Sequence, residues 1–144
     1  MSDLNKPVAA VTGLNHLTLS VSDLERSFRF YVEVLGLKPL ARWKNGAYLL
    51  AGEDWICLSL DSECRTSLPA EYTHSAFSVT PDAFQAFVQK VDAGELQLWK
   101  INKSEGDSLY LSDPDGHKLE LHVGDWQSRL ESLKIKPYEG LILF

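Results

Sequence analysis

The chain has 144 residues and a formal net charge of −6, with 44% hydrophobic and 24% charged residues, which suits one globular domain or two small halves. The negative charge argues against a nucleic-acid or anionic-membrane partner, and no apolar run approaches the ~18 residues of a transmembrane helix. The two cysteines, Cys57 and Cys64, make no disulfide framework, and the N-terminus lacks a basic stretch followed by a long apolar one, so no export signal and a reducing cytoplasmic setting are expected.

The first predicted element is an alternating strand with Leu14, His16, Thr18 and Ser20 on one face. Ser22 reads as the cap of a helix, with Glu25 completing a capping box. Phe28, Tyr31, Val32 and Leu35 form its apolar stripe, and Gly36 ends it. Strands are predicted at about 38–43, 47–51 and 55–60. After a polar linker the pattern repeats. A strand carries Tyr72, His74, Ala76 and Ser78 on one face, and Thr80 caps a helix with Pro81 at its first position. Phe84, Phe87, Val88 and Val91 form its stripe, Gly94 ends it, and strands follow at about 96–101, 108–112 and 117–123. A short helix at about 125–133 lies in the tail. The unit is β-α-β-β-β written twice. The chain is thus expected to be one α+β domain, 1–144, built of module one (about 12–60), a linker (61–71), module two (about 72–123) and a C-terminal tail (124–144) whose modules form curved mixed sheets.

His16 and His74 occupy equivalent positions in the two copies, and Glu120 adds a carboxylate from the last strand. Two imidazoles and one carboxylate form a facial set for a divalent metal, with positions left for substrate or water. A lone strand histidine is more often a hydrogen-bonded structural residue; recurrence at matched positions favours the metal. His117 reads as a turn residue, and His122 as a structural or supporting neighbour of Glu120. On the last strand of module one, "WICLSL", Ser59 is read as the counterpart of Glu120 in "HKLELH", so three protein ligands are expected rather than four. The stretch Ser104-Glu105-Gly106-Asp107-Ser108, with Asn102 before it and Tyr110 after, is rich in oxygens. It suits either a hard cation or a solvated hairpin.

The stretches "GLNHLTLSVSDL", "ARWKNGAYL", "YTHSAF", "WKINKSEGDS" and "DPDGHKLELHVGD", with "RL" at 129–130 and "KPYEG" at 136–140, resemble the vicinal oxygen chelate superfamily. Within it they are similar to the fosfomycin-resistance glutathione transferases of the FosA type, over about residues 12–142. The resemblance implies a Mn²⁺-dependent enzyme that opens the epoxide of fosfomycin by adding glutathione. It implies His16, His74 and Glu120 as metal ligands, and Thr18, Lys100, Tyr110 and Arg129 as contacts to the phosphonate or oxirane. Trp43, Tyr48, Trp55, Cys57 and Tyr72 match positions near the substrate or thiol channel, and Asn102, Ser104, Glu105, Gly106 and Ser108 match a K⁺ site. It further implies a homodimer in which His16 of one chain joins His74 and Glu120 of the other. The sequence departs from the family pattern at Ser75 and Asp107, and its first dozen residues read as an extension.

Four rival readings bear on this one. An epoxide hydrolase of the same fold would use water and a glutamate base near the position of Gly46, which has no side chain. A transferase using bacillithiol or cysteine would share the fold. A non-haem iron dioxygenase also uses two histidines and a carboxylate, but would leave the basic groups idle. A non-catalytic drug-binding module would need no metal ligands.

Overall fold

The duplicated pattern folds into two sheets. The structure, a computed structural model, describes residues 9–144, so the leading residues read as an extension without an export signal lie largely outside the described part. Module one runs β1 (His16–Val21), α1 (Leu24–Arg29), a π-helical turn (Phe30–Val34), β2 (Lys38–Trp43), β3 (Gly46–Ala51) and β4 (Asp54–Leu60). Module two runs β5 (Ser75–Ser78), α2 (Pro81–Asp92), β6 (Gln97–Lys100), β7 (Ser108–Ser112) and β8 (Lys118–His122), and α3 (Trp126–Ile135) follows. The strand orders are β1-β4-β3-β2 and β5-β8-β7-β6. In each sheet the first and last strands of the module pair in parallel and the others pair antiparallel, so both sheets are mixed and the two units match strand for strand.

One face of each sheet is apolar. Leu19, Val21, Leu49, Ile56 and Leu58 are buried with Tyr31 in module one, and Leu111, Leu119 and Leu121 in module two. Burying each such leucine contributes about 1.5–3 kcal/mol relative to exposure. The opposite face of module one stays open: every residue of β2 is exposed, and Trp43 and Tyr48 remain 45% and 38% accessible.

The ladder corrects the expected equivalence of Ser59 and Glu120. Thr18 pairs with Cys57 across β1 and β4, as Ala76 pairs with Glu120 across β5 and β8. Tyr48 faces Cys57 as Tyr110 faces Glu120. Cys57 therefore holds the position of Glu120 in the other copy, and Ser59 that of His122. A slip of two residues preserves the face of every side chain, so alternation alone does not expose it.

Thr80 caps α2 as expected, its hydroxyl accepting from Ala83 N with Pro81 in the first turn. The cap of α1 differs. Asp23, not Ser22, accepts from Arg26 N, at 3.1 Å, and no Ser22–Glu25 box forms. The Ser22 hydroxyl instead donates to Asp115 Oδ1 at 2.5 Å, while Glu25 pairs with Arg42 and Arg29. The end of this helix is wider than an α-helix. Leu35 N donates to Phe30 O, five residues back, before Gly36 turns out at φ +83°.

The modules are tied together by the turn at 113–116. Asp115 accepts from Ser22 N, Ser22 Oγ and Arg26 of module one. Asp113 accepts from Tyr31 Oη at 2.7 Å and from the backbone of Asp115 and His117. His117 is more than a turn residue: its Nε2 donates to Ser20 O at 2.7 Å, across the module boundary. Burial, and next the charge of Asp113, push the Tyr31 phenol well above its ordinary value of 10.0. Tyr31→Phe is expected to destabilise the fold by about 1.5–3 kcal/mol, the range for a hydrogen bond to a charged group. Because the folded phenol holds its proton more tightly than the unfolded one, its contribution is complete below pH ~10 and is lost as the pH rises beyond it. Urea melts of both proteins should therefore show a gap that narrows above pH ~10. A gap independent of pH would contradict this reading.

Candidate active site

Two half-sites stand on the open faces of the two sheets. On module one, β1 carries His16 and Thr18 beside Trp55 and Cys57 of β4. The His16 and Trp55 rings lie 4.5 Å apart, Trp55 and Tyr48 5.1 Å, and Tyr48 and Trp43 4.8 Å, giving a continuous aromatic surface. This half is apolar apart from His16, Thr18 and the Cys57 thiol.

The half on module two is polar. His74 immediately precedes β5, and Glu120, 7% exposed, lies in the middle of β8. His74 Nε2 stands 3.0 Å from Glu120 Oε1. His74 Nδ1 lies 2.8 Å from Tyr72 O, a carbonyl that can only accept, so Nδ1 carries a proton. In the neutral imidazole Nε2 is then a bare lone pair facing a carboxylate oxygen. Two acceptors at that distance call for a cation between them or a second ring proton. Neighbouring ligands of an octahedral ion with bonds of about 2.1 Å stand about 3.0 Å apart, so the pair has the spacing of metal ligands. His16 has the same tautomer: its Nδ1 lies 2.7 Å from Asn15 Oδ1, leaving Nε2 outward. Ligating histidines commonly donate their second ring N–H in this way. His74, Glu120 and His16 thus fit a divalent metal by donor type. Among the described residues of one chain no third His, Cys, Asp or Glu completes a three-ligand group, because His16 lies on the other module. His16 and His74 both line a cleft of about 950 Å³ between the two modules.

The residues matched to phosphonate contacts are divided in the same way. Thr18 belongs to the half-site of module one. Lys100, Tyr110 and Arg129 gather around His74 and Glu120. The Lys100 ammonium donates to Tyr72 Oη and sits 4.5 and 4.6 Å from the Tyr72 and Tyr110 ring centres. The Tyr72 hydrogen bond raises its pKa, so Lys100 remains a cation at neutral pH. Arg129 Nε lies 3.0 Å from Glu105 Oε2, an ion pair that lowers the Glu105 pKa and raises that of Arg129.

The loop at 101–107 folds around Asn102. Its Oδ1 accepts from Ser104 N and Ser104 Oγ, both at 2.9 Å, and its Nδ2 donates to Gly106 O at 2.8 Å. Several oxygens therefore converge, but Asn102 Nδ2 would have to turn away before Gly106 O could face a cation. Ser108 opens β7, where its hydroxyl is engaged with Glu120 Oε2 at 2.7 Å.

Sequence reasoning missed Trp99 and Asn15. Trp99 packs 5.3–5.7 Å from Tyr72, His74 and Tyr110 and anchors its indole N–H to Leu119 O at 3.0 Å. A bulge between Leu98 and Lys100 breaks the period-two pattern that would have placed it. Gly46, where a hydrolase of this fold would carry its base, has no room for one. A Cβ there would lie 2.6 Å from the Trp43 ring and 2.8 Å from Leu58 O.

The family model of the Glyoxalase/Bleomycin resistance protein/Dioxygenase superfamily matches residues 13–121. The chain is 51% identical over 132 residues to the glutathione transferase FosA of Serratia marcescens, covering 90% of this chain and 93% of that protein. It is 36% identical to the metallothiol transferase FosB of Staphylococcus epidermidis, covering 86% and 90%. A mutant of the fosfomycin resistance protein FosX from Listeria monocytogenes, solved with Mn(II) and 1S,2S-dihydroxypropylphosphonic acid, shares the fold. Its TM-score is 0.73 at 23% identity, over 85% of this chain and 99% of that one. Among the described residues no helix is long and apolar enough to cross a membrane. The paired modules, the His74–Glu120 geometry and the length of the matches place this chain in the Glyoxalase/Bleomycin resistance protein/Dioxygenase superfamily, among its FosA-type glutathione transferases.

Proposed function

We propose that the protein is a Mn²⁺-dependent, cytoplasmic glutathione transferase that inactivates fosfomycin, working as a homodimer whose active sites join module one of one chain to module two of the other. The observation that carries this reading is His74 Nε2 facing Glu120 Oε1 at 3.0 Å while Nδ1 is held by the Tyr72 carbonyl, with a second imidazole, His16, in the same tautomer on the complementary face. The 51% identity to a glutathione transferase directs the chemistry. His16, His74 and Glu120 hold the metal, which when bound supplies Lewis-acid stabilisation of the oxygen released from the epoxide.

The chain's own groups do the rest. Lys100 and Arg129 face the doubly charged phosphonate and lower the repulsion an arriving thiolate would meet. Thr18 and Tyr110 offer hydroxyl donors that fix its orientation. The aromatic surface of Trp43, Tyr48 and Trp55 walls the thiol channel, with Tyr72 on the opposing side. The glutathione thiolate attacks the carbon bearing the phosphonate: a C–S bond forms and a C–O bond breaks. The proton lost by the thiol is matched by the one the ring oxygen takes up. No protein nucleophile is needed, and Cys57 stands as a wall of the site. Initial rates at saturating fosfomycin with glutathione, L-cysteine and no thiol test the assignment. Glutathione should be fastest by at least tenfold; equal rates without thiol would make the protein a hydrolase.

Asn102, Ser104, Glu105, Gly106 and Ser108 are proposed to hold K⁺ beside the phosphonate. A roomy ring of carbonyls and hydroxyls favours the larger, more weakly hydrated ion. K⁺ should raise activity several-fold over Na⁺ at constant ionic strength, mainly by lowering the KM for fosfomycin, and Ser104→Ala should abolish the difference. Identical curves in KCl and NaCl for the wild type would reduce the loop to an ordinary hairpin.

A further inference from the structure

His122 has no place in the ligand set, yet it is well held. Its side chain is 14% exposed and its ring lies between two glycine backbones. A Cβ on Gly106 would stand 3.0 Å from His122 Cε1, and one on Gly124 would stand 3.1 Å from Nε2. Both glycines have positive φ, +76° and +127°, so the chain bends around the imidazole at positions that disfavour any other residue.

The polar edge of this ring meets a hydroxyl. Ser108 Oγ lies 2.6 Å from His122 Nδ1 and 2.7 Å from Glu120 Oε2. A hydroxyl has one proton to give, and an ionised carboxylate only accepts. The Ser108 proton therefore goes to Glu120 Oε2, and His122 Nδ1 must carry a proton and donate it to Ser108 Oγ. The chain of donors runs His122 Nδ1–H to Ser108 Oγ–H to Glu120 Oε2. Glu120 Oε1 is left facing His74 Nε2 at 3.0 Å.

We infer that His122 is a positioning residue for Glu120: through Ser108 it occupies one carboxylate oxygen and presents the other to the metal. The direction of the relay matters as much as its presence. In the other tautomer, with the ring proton on Nε2, Ser108 would donate to His122 Nδ1 and release Oε2. The carboxylate could then rotate, or engage the metal through both oxygens and consume a position meant for substrate. Because Gly106 belongs to the loop of Asn102 and Ser104, the same imidazole also sets the distance between that loop and Glu120.

This inference rests on Glu120 being a metal ligand, and the experiment separates the two. Mn²⁺ affinity is measured by the EPR signal of free Mn²⁺ for the wild type, His122→Leu, His122→Asn, His122→Gln, Ser108→Ala, the Ser108→Ala/His122→Leu double variant and Glu120→Gln, with a thermal melt of each. The amide nitrogen of Asn reaches the position of Nδ1, whereas that of Gln reaches the position of Nε2. His122→Leu and Ser108→Ala should each weaken Mn²⁺ binding about tenfold, the low end for groups that support a ligand. The double variant should be no weaker than either single one, and His122→Asn, but not His122→Gln, should recover most of the loss. Wild-type affinity in His122→Leu, or equal loss in Asn and Leu variants of equal stability, would overturn the relay while a weakened Glu120→Gln upholds the ligand. Unchanged affinity in Glu120→Gln would overturn both.

Discussion

Glu120→Gln should fold normally and lose most of its Mn²⁺ affinity and turnover, by about 100-fold or more. Glutamine keeps the shape of the side chain and still offers a carbonyl oxygen to Ser108, so the hydrogen bond now at 2.7 Å has a successor. What disappears is the negative charge 3.0 Å from His74 Nε2. A neutral amide is a poor ligand for a hard divalent ion, and loss of a ligand should exceed the 10–100-fold cost typical of groups that only support one. The buried site deepens the effect, because charge is worth more where water is excluded. Thermal melts together with metal-dependent turnover check this. A variant that keeps full turnover, or a wild type that works in excess chelator, would remove the metal from the reaction.

Neither half-site is complete by itself, and this sets the second large effect. His16→Ala and Glu120→Ala should each be inactive as pure proteins. In a hybrid dimer, one site loses both residues while the other keeps His16 of one chain and Glu120 of its partner. Random exchange of equal amounts makes about half the dimers hybrid, each with one of two sites intact, so about a quarter of wild-type activity should return. Mass spectrometry of the intact dimer verifies the exchange. Silence of the mixture after verified exchange would place all three ligands in one chain and refute the shared site.

The duplicated architecture was legible because helix and strand periods alternate twice in the same order, and because each copy places a histidine near the start of its first strand. Thr80 was legible as a cap because Pro81 follows it and, among the described residues, no competing partner claims its hydroxyl. Ser22 was not, because its hydroxyl is drawn to Asp115, about ninety residues away, and local pattern carries no trace of that. The same distance hid the role of His117, whose partner Ser20 belongs to the other module. The Cys57–Glu120 equivalence needed the ladder, since a shift of two residues leaves the alternation intact. His74 and Glu120 stand out in the sequence by donor type, but their facing atoms, and the Tyr72 carbonyl that fixes the proton on Nδ1, come together only in the fold. Trp99 escaped because a bulge breaks its strand.

The central claim is glutathione addition to an epoxide at a metal held by His16, His74 and Glu120. Its most direct test is mass spectrometry of fosfomycin incubated with the purified protein, Mn²⁺ and glutathione, beside a parallel sample without thiol and one with chelator. Glutathione addition predicts a single new species with the summed mass of drug and thiol, absent from both controls. Drug plus water in the presence of glutathione, or unchanged drug in every sample, would contradict it.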